Sequence, residues 1–216
     1  MQCSSVRFGD YDNDGDLDIL LTGYAGSGRI AKVYRNTGGS FAEDSCITLP
    51  GIFYSSIAFG DFDNEGDLDI LISGDSASGK IAKVYRNTGG SFNEDTGTLL
   101  PGVNLSSVAF GDYDNDGDLD LVISGNTSSN DKIAKVYKNN GSTFIEDAGI
   151  NLPGVEYGSV DFGDYDNDGD LDILISGDDG NNLITKMYQN NSGSFAEDTG
   201  ISLPGIKESS VEFGDY

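Results

Sequence analysis

Short runs of alternating apolar and polar residues, each cut off by glycine, fill the chain from end to end. Residues 4–9 put Val6 and Phe8 on one face and stop at Gly9, the period of a half-buried strand. Residues 17–22 (Leu-Asp-Ile-Leu-Leu-Thr) are rich in β-formers and end at Gly23. A glycine-rich turn at 24–28 follows, and residues 29–35 alternate again. Residues 36–39 (Asn-Thr-Gly-Gly) signal a hairpin, because Asn and Gly take positive φ at low cost. Residues 40–44 make a fourth short strand, and Leu49-Pro50-Gly51 breaks the chain before the pattern restarts. No segment holds a helical apolar period for ten residues, which excludes helical repeats.

The whole order returns at a fixed interval. The stretch Asp10-Tyr-Asp-Asn-Asp-Gly-Asp-Leu-Asp18 recurs at 61–69, 112–120 and 164–172 and opens again at Asp215, spacings of 51, 51, 52 and 51 residues. Four strands of ordinary length with their turns fill such a unit. The expectation is an all-β chain: a β-propeller of four-stranded antiparallel blades at 4–51, 55–102, 106–154 and 158–205. Residues 209–216 repeat 4–11 and predict an extra inner strand opening a fifth unit. A linear β-solenoid is the competing architecture, although its repeats are usually much shorter.

The acids of each repeat fall at loop positions 1, 3, 5, 7 and 9, with glycine at position 6. They are Asp10, Asp12, Asp14, Asp16 and Asp18; then Asp61, Asp63, Glu65, Asp67 and Asp69; then Asp112, Asp114, Asp116, Asp118 and Asp120; then Asp164, Asp166, Asp168, Asp170 and Asp172. Turn-forming residues on a wet surface explain one such loop but not four, because five carboxylates in nine residues repel one another unless a cation intervenes. A hard cation wants six to eight oxygens, and a tight loop supplies them in sequence. Position 12 is Leu21, Ile72, Ile123 or Ile175, so these are not EF-hands, and position 9 must close the site. The expected cofactor is calcium, about one ion per complete repeat. Magnesium usually keeps several waters, and transition metals prefer imidazole, which a chain without histidine does not offer. Glu65 departs from the pattern, so the second loop is expected to bind most weakly.

Phe-Gly-Asp at 8–10, 59–61, 110–112 and 162–164 leads into each loop. With the acidic spacing that follows, it resembles the FG-GAP/VCBS repeat of integrin-like calcium-binding β-propellers over essentially the whole chain. WD40 blades want Gly-His and Trp-Asp, and kelch repeats a Trp, none of which occurs here. The resemblance implies closure of the metal site by position 9 and extracellular recognition of protein or glycan ligands. It also implies rings of more than four blades.

Net charge is −25, from 37 acids against 12 bases, which disfavours nucleic acid and anionic membrane as partners. Nothing approaches the roughly 18 apolar residues of a membrane helix. The first repeat starts at once after Met1, leaving no room for a signal peptide, so export would rest on sequence outside this chain. Cys3 and Cys46 belong to no repeating scheme and read as free thiols.

An up-and-down blade puts the acidic loop and the turn after its third strand on one edge. The opposite edge varies between repeats, and there Tyr24, Phe53, Tyr54 and Tyr157 are the candidate ligand-binding residues. Plain drift of surface turns accounts for the same variation. With no histidine for general-base work and the clustered acids absorbed by the loops, an enzyme is not expected. The expected function is extracellular adhesion or ligand recognition. A structural or engineered scaffold is the alternative, suggested by the near-identical Ile-Ala-Lys-Val-Tyr at 30–34, 81–85 and 133–137. A homodimer completing an eight-bladed ring is the expected assembly.

Overall fold

The computed structural model describes residues 4–214, so Cys3 and the fifth loop's Asp215 lie outside the described residues. The first blade comprises β1 (Ser5–Gly9), β2 (Asp18–Tyr24), β3 (Arg29–Thr37) and β4 (Ser40–Glu43). The second holds β5 (Ile52–Gly60), β6 (Asp69–Ser76), β7 (Gly79–Thr88) and β8 (Ser91–Glu94). The third holds β9 (Val103–Gly111), β10 (Asp120–Thr127), β11 (Lys132–Asn139) and β12 (Phe144–Glu146). The fourth holds β13 (Glu156–Gly163), β14 (Asp172–Asp178), β15 (Leu183–Asn191) and β16 (Ser194–Glu197). Within each blade every neighbour is antiparallel and in chain order, and no helix occurs among the described residues. The chain is thus an all-β, four-bladed propeller array whose sheet does not close on itself.

Consecutive blades are stitched by one backbone pairing each, Ile30 with Ile52, Ile81 with Val103 and Ile133 with Val155. These lie just beyond the Pro-Gly breaks, and the glycines make them possible. A Cβ on Gly51, Gly102 or Gly154 would stand 2.4, 2.1 or 1.9 Å from a third-strand carbonyl oxygen, so the connector runs where only glycine fits. Residues 52–54 and 103–105, which fall between the blade ranges expected from sequence, are already strand. A bulge lies between Phe53 and Ser56, and Tyr54 there takes φ of 50°. The extra residue lets the strand bend onto the previous blade before its regular ladder begins.

The cores lie between blades. Tyr11, Leu20 and Val33 of the first blade interlock with Ile57, Ile70, Ile72 and Tyr85 of the second, and the later seams repeat the arrangement. The second strands are covered on both sides, with Ile70, Leu71 and Ile72 all fully buried. This accounts for their unbroken apolar runs where a half-exposed strand would alternate. The glycine of Phe-Gly-Asp leaves room for the next blade. A Cβ on Gly9, Gly60 or Gly111 would meet the ring of Phe59, Phe110 or Phe162 at 2.7–2.8 Å.

The innermost strands line a central channel of about 450 Å³, with Arg7, Ala58, Ala109, Asp161 and Glu212 among its residues. Residues 209–214 form no ladder but lie against blade four as an inner strand would. Phe213 covers Gly163, and Ser209 Oγ is 3.0 Å from Ser176 Oγ. The same hydroxyl contact joins Ser55 to Thr22 at 2.9 Å and Ser106 to Ser73 at 2.8 Å. Cys46 is exposed and forms no disulfide.

Candidate metal centres

Each acidic loop is built by its own hydrogen bonds. The carboxylate of Asp10 accepts from the backbone N–H of Asp14 (3.1 Å) and Gly15 (2.9 Å), folding the loop over itself. Two residues must then turn left-handed: Asn13 with φ of 57° and Gly15 with φ of 92°. Asn tolerates that region better than other residues with a side chain. The other three loops repeat these bonds and angles.

The outcome is one aspartate triad per blade: Asp10, Asp12 and Asp18; Asp61, Asp63 and Asp69; Asp112, Asp114 and Asp120; Asp164, Asp166 and Asp172. Each contributes a carboxylate oxygen, and within a triad these lie within 4.8 Å of one another. A calcium ion with contacts of about 2.3–2.6 Å spans oxygens about 5 Å apart, so one ion reaches all three. Oδ1 of Asp12 and Oδ1 of Asp114 are buried and accept no hydrogen bond. Such atoms are costly unless something satisfies them. All-oxygen donors, close spacing and orphaned lone pairs fit a hard divalent cation. Bound there, it would neutralise the loop's mutual repulsion.

The position-9 aspartates anchor the triads. Asp18, Asp69, Asp120 and Asp172 are fully buried at the start of the second strand. Asp69 accepts from the backbone N–H of Phe62 (3.0 Å) and Asn87 (2.7 Å), tying its loop to the third strand. Burial pushes the carboxyls of Asp69 and Asp120 up to about 7; the backbone donors oppose this, and neighbouring acids of the same loop push with it. Asp18 and Asp172 shift upward for the same first reason. A carboxyl whose folded pKa exceeds its unfolded one binds a proton more readily when folded, so stability falls as pH rises between the two values. For Asp69 and Asp120 that window runs from 3.8 to about 7. In chelator the melting temperature is therefore expected to be higher at pH 5 than at pH 7.5, and calcium should shrink or reverse the gap. Thermal scans in chelator that stay flat or rise over this range would contradict the assignment.

The remaining loop acids have other work. Position 7 lies outside the triads: Asp67 accepts from Gly89 N–H (2.8 Å) and from Asn13 Nδ2 of the preceding blade (2.7 Å). Asp16, Asp118 and Asp170 repeat parts of this. Position 5, occupied by Asp14, Glu65, Asp116 and Asp168, is likewise outside the triads. Sequence reasoning missed the third-strand side chain that approaches each position-3 acid. Arg35 Nε is 2.7 Å from Asp12, Arg86 pairs with Asp63, Lys138 pairs with Asp114, and Gln189 donates to Asp166 at 2.6 Å. The signal was a base at one repeat position in three blades. A tyrosine hydroxyl also braces the loop, Tyr11 to Asp44 (2.8 Å), Tyr113 to Asp147 and Tyr165 to Asp198 (2.9 Å each), while Phe62 of blade two cannot.

On the opposite edge, Tyr54 and Tyr157 come together with Leu105 and Glu208 around a small cleft. All four are non-glycine residues held left-handed, with φ of 50–54°. Phe53 lies against Tyr54 (ring centroids 4.3 Å apart) and beneath Arg29 (4.7 Å). Tyr24 does not line the cleft; it is exposed, and its hydroxyl donates to the Gly26 carbonyl. Leu105 and Glu208 were legible as repeat equivalents of the two tyrosines, but nothing in their chemistry drew attention to them.

No curated protein matches the chain. The FG-GAP-like repeat profile matches it four times, at residues 10–72, 71–123, 122–175 and 164–216, and these matches together reach every loop and triad described above. With Phe-Gly-Asp explained by blade packing and the acids by a metal-shaped loop, the chain belongs to the FG-GAP-like repeat family.

Proposed function

We propose that this chain is a non-enzymatic calcium-binding propeller that works outside the cell, recognising a protein or glycan ligand on the edge opposite its metal loops. The observation that carries the calcium part is the recurrence of one aspartate triad per blade, with a buried carboxylate oxygen that accepts no hydrogen bond in blades one and three. Millimolar extracellular calcium suits such loops. Ligation uses the lone pairs of the clustered acids, and no histidine is present to act as a base. The recognition part is supported by the convergence of Tyr54, Leu105, Tyr157 and Glu208 from successive repeats. At about 20 Å³ the cleft itself holds a water rather than a sugar ring, so a ligand would lie across the four side chains. The small cleft equally favours the second reading, a scaffold with no ligand of its own.

Titration calorimetry should return four calcium ions per chain. The third-strand residue competes with the ion for the position-3 acid, so affinity should rank with its charge. Blade four, with neutral Gln189, is expected to bind tightest; blade two, with Arg86 and the longer Glu65, weakest. Lys138→Gln should strengthen the blade-three site several-fold, and no change in the titration would remove the competition argument. Binding on a glycan or extracellular-protein array that is lost in Tyr157→Ala, with calcium stoichiometry kept, supports recognition. Silence on both arrays favours the scaffold.

A further inference from the structure

Every seam between blades is made with the same groups, and the two outer faces carry the two halves of one more seam. From the upstream side, Asn13 Nδ2 donates to the Gly66 carbonyl (3.2 Å) and the Asp67 carboxylate (2.7 Å) of the next loop. Asn64 and Asn115 repeat this on the third and fourth loops. From the downstream side, Asn87, Asn139 and Asn190 reach back to the carbonyls of Tyr11, Phe62 and Tyr113. Among the described residues, Asn167 on blade four has no next loop to donate to. Among the same residues, Asn36 Nδ2 on blade one donates to its own Leu17 carbonyl and to no other blade.

The apolar groups divide the same way. Val6, Phe8 and Leu17 are 48, 60 and 57% exposed, yet they occupy the positions where Ile57, Phe59 and Leu68 of blade two pack against blade one. The matching hollow on blade four is at Gly163, beside an open cavity of about 390 Å³ lined by Asp164, Tyr165, Asn167, Phe213 and Gly214.

What lies on blade four is a partial stand-in. Residues 209–214 carry the sequence of 4–9 with Glu212 in place of Arg7. They supply a phenylalanine to Gly163 and a hydroxyl to Ser176, but form no ladder. They also place Glu212 near the half-buried Asp161, two like charges on one channel wall. Arg7 is the one base among the residues lining that channel.

We propose that blade one of a second copy docks on blade four and displaces residues 209–214, two such joints closing an eight-bladed ring from two chains. The exchange puts a phenylalanine and a serine, Phe8 and Ser4, where Phe213 and Ser209 sat. It takes the acid Glu212 away from Asp161 and brings a second arginine to a channel where the chain's own Arg7 already acts on Asp161, a charge balance that favours this partner over the stand-in. It adds what the stand-in lacks: Leu17 for the hollow, the Gly15 carbonyl and Asp16 for Asn167, and the Tyr165 carbonyl for Asn36. The contact is head-to-tail, so it must close a ring or run on as a filament. The inference is independent of what the tyrosine edge binds.

Light scattering on the full chain in calcium buffer is expected to give twice the mass of one chain. Phe8→Glu changes an exposed side chain and should yield a monomer that keeps the parent's circular-dichroism spectrum and melts as the parent does when diluted below its dimer dissociation constant. Arg7→Glu should weaken association at least about ten-fold, near 1.4 kcal/mol, and adding Asp161→Lys should restore it. Deleting residues 209–216 should leave the dimer equal or tighter. A monomer at every concentration, species growing beyond two chains, a dimer indifferent to Phe8→Glu, or one lost with the deletion would overturn the proposal.

Discussion

Removing calcium with excess chelator is expected to lower the melting temperature by about 20 °C or more. An ion that binds the folded loop and not the unfolded chain stabilises by about 2.7 kcal/mol at 100 times its dissociation constant. Four equal sites would sum to about 11 kcal/mol, and a chain of this size gains about 2–4 °C per kcal/mol. The loops are where the fold most needs the ion. Each brings three carboxylates within 4.8 Å, one of them fully buried, and the position-9 acid also holds the second and third strands together through backbone donors. Asp114→Ala provides the internal control. Its Oδ1 accepts no hydrogen bond, and its other oxygen pairs with the part-exposed Lys138, a contact of about 1 kcal/mol or less. The substitution should therefore cost little in chelator and remove about a quarter of the calcium-dependent rise. Identical melting curves with calcium and with chelator would end the metal reading.

The second large effect is expected at a residue without a side chain. Gly102→Ala should cost about 3 kcal/mol, a fall of roughly 10 °C. The added methyl would lie 2.1 Å from the Lys80 carbonyl oxygen. That oxygen belongs to the backbone of β7 beside the single pairing that stitches blades two and three, so it cannot swing aside as a side chain would. Gly28→Ala is the control: nothing lies within 4 Å of its would-be Cβ, and its stability should stay within about 0.5 kcal/mol of the parent. Equal melting temperatures for the two variants would refute the close-approach account of the Pro-Gly connector.

The period was enough to read the blades, because four strands of this length leave no other use for some 51 residues, and position 9 was legible because the chain lacks an EF-hand's position 12. The partners of Asp16 and its equivalents were not legible from their place in sequence. Their carboxylates serve Gly38 or Gly89 N–H and the neighbouring blade, partners that only the folded hairpin brings near. Arg35, Arg86 and Lys138 escaped notice because a charge on a strand face reads as solvated until the loop is folded over it. Gly51, Gly102 and Gly154 read as chain breakers, while their distinctive role is steric and depends on a strand more than twenty residues away. Tyr54 and Tyr157 were picked as aromatics. What joins them with Leu105 and Glu208 is a shared left-handed backbone, which leaves no mark in side-chain chemistry.

The asparagine bonds across the seams bear on how the array comes apart. Asn13 clips loop one to loop two, and Asn87 on blade two reaches back to Tyr11. Each joint is held from both sides, and by the same loops that would hold the ions. A loop that opens therefore releases two neighbours at once. Arrays of this kind have nearest-neighbour energetics, and when coupling between units rivals their own stability, loss is concerted. Denaturation should proceed in one sharp step rather than by shedding blades from the ends, and a protease should find whole chains or fragments with little in between.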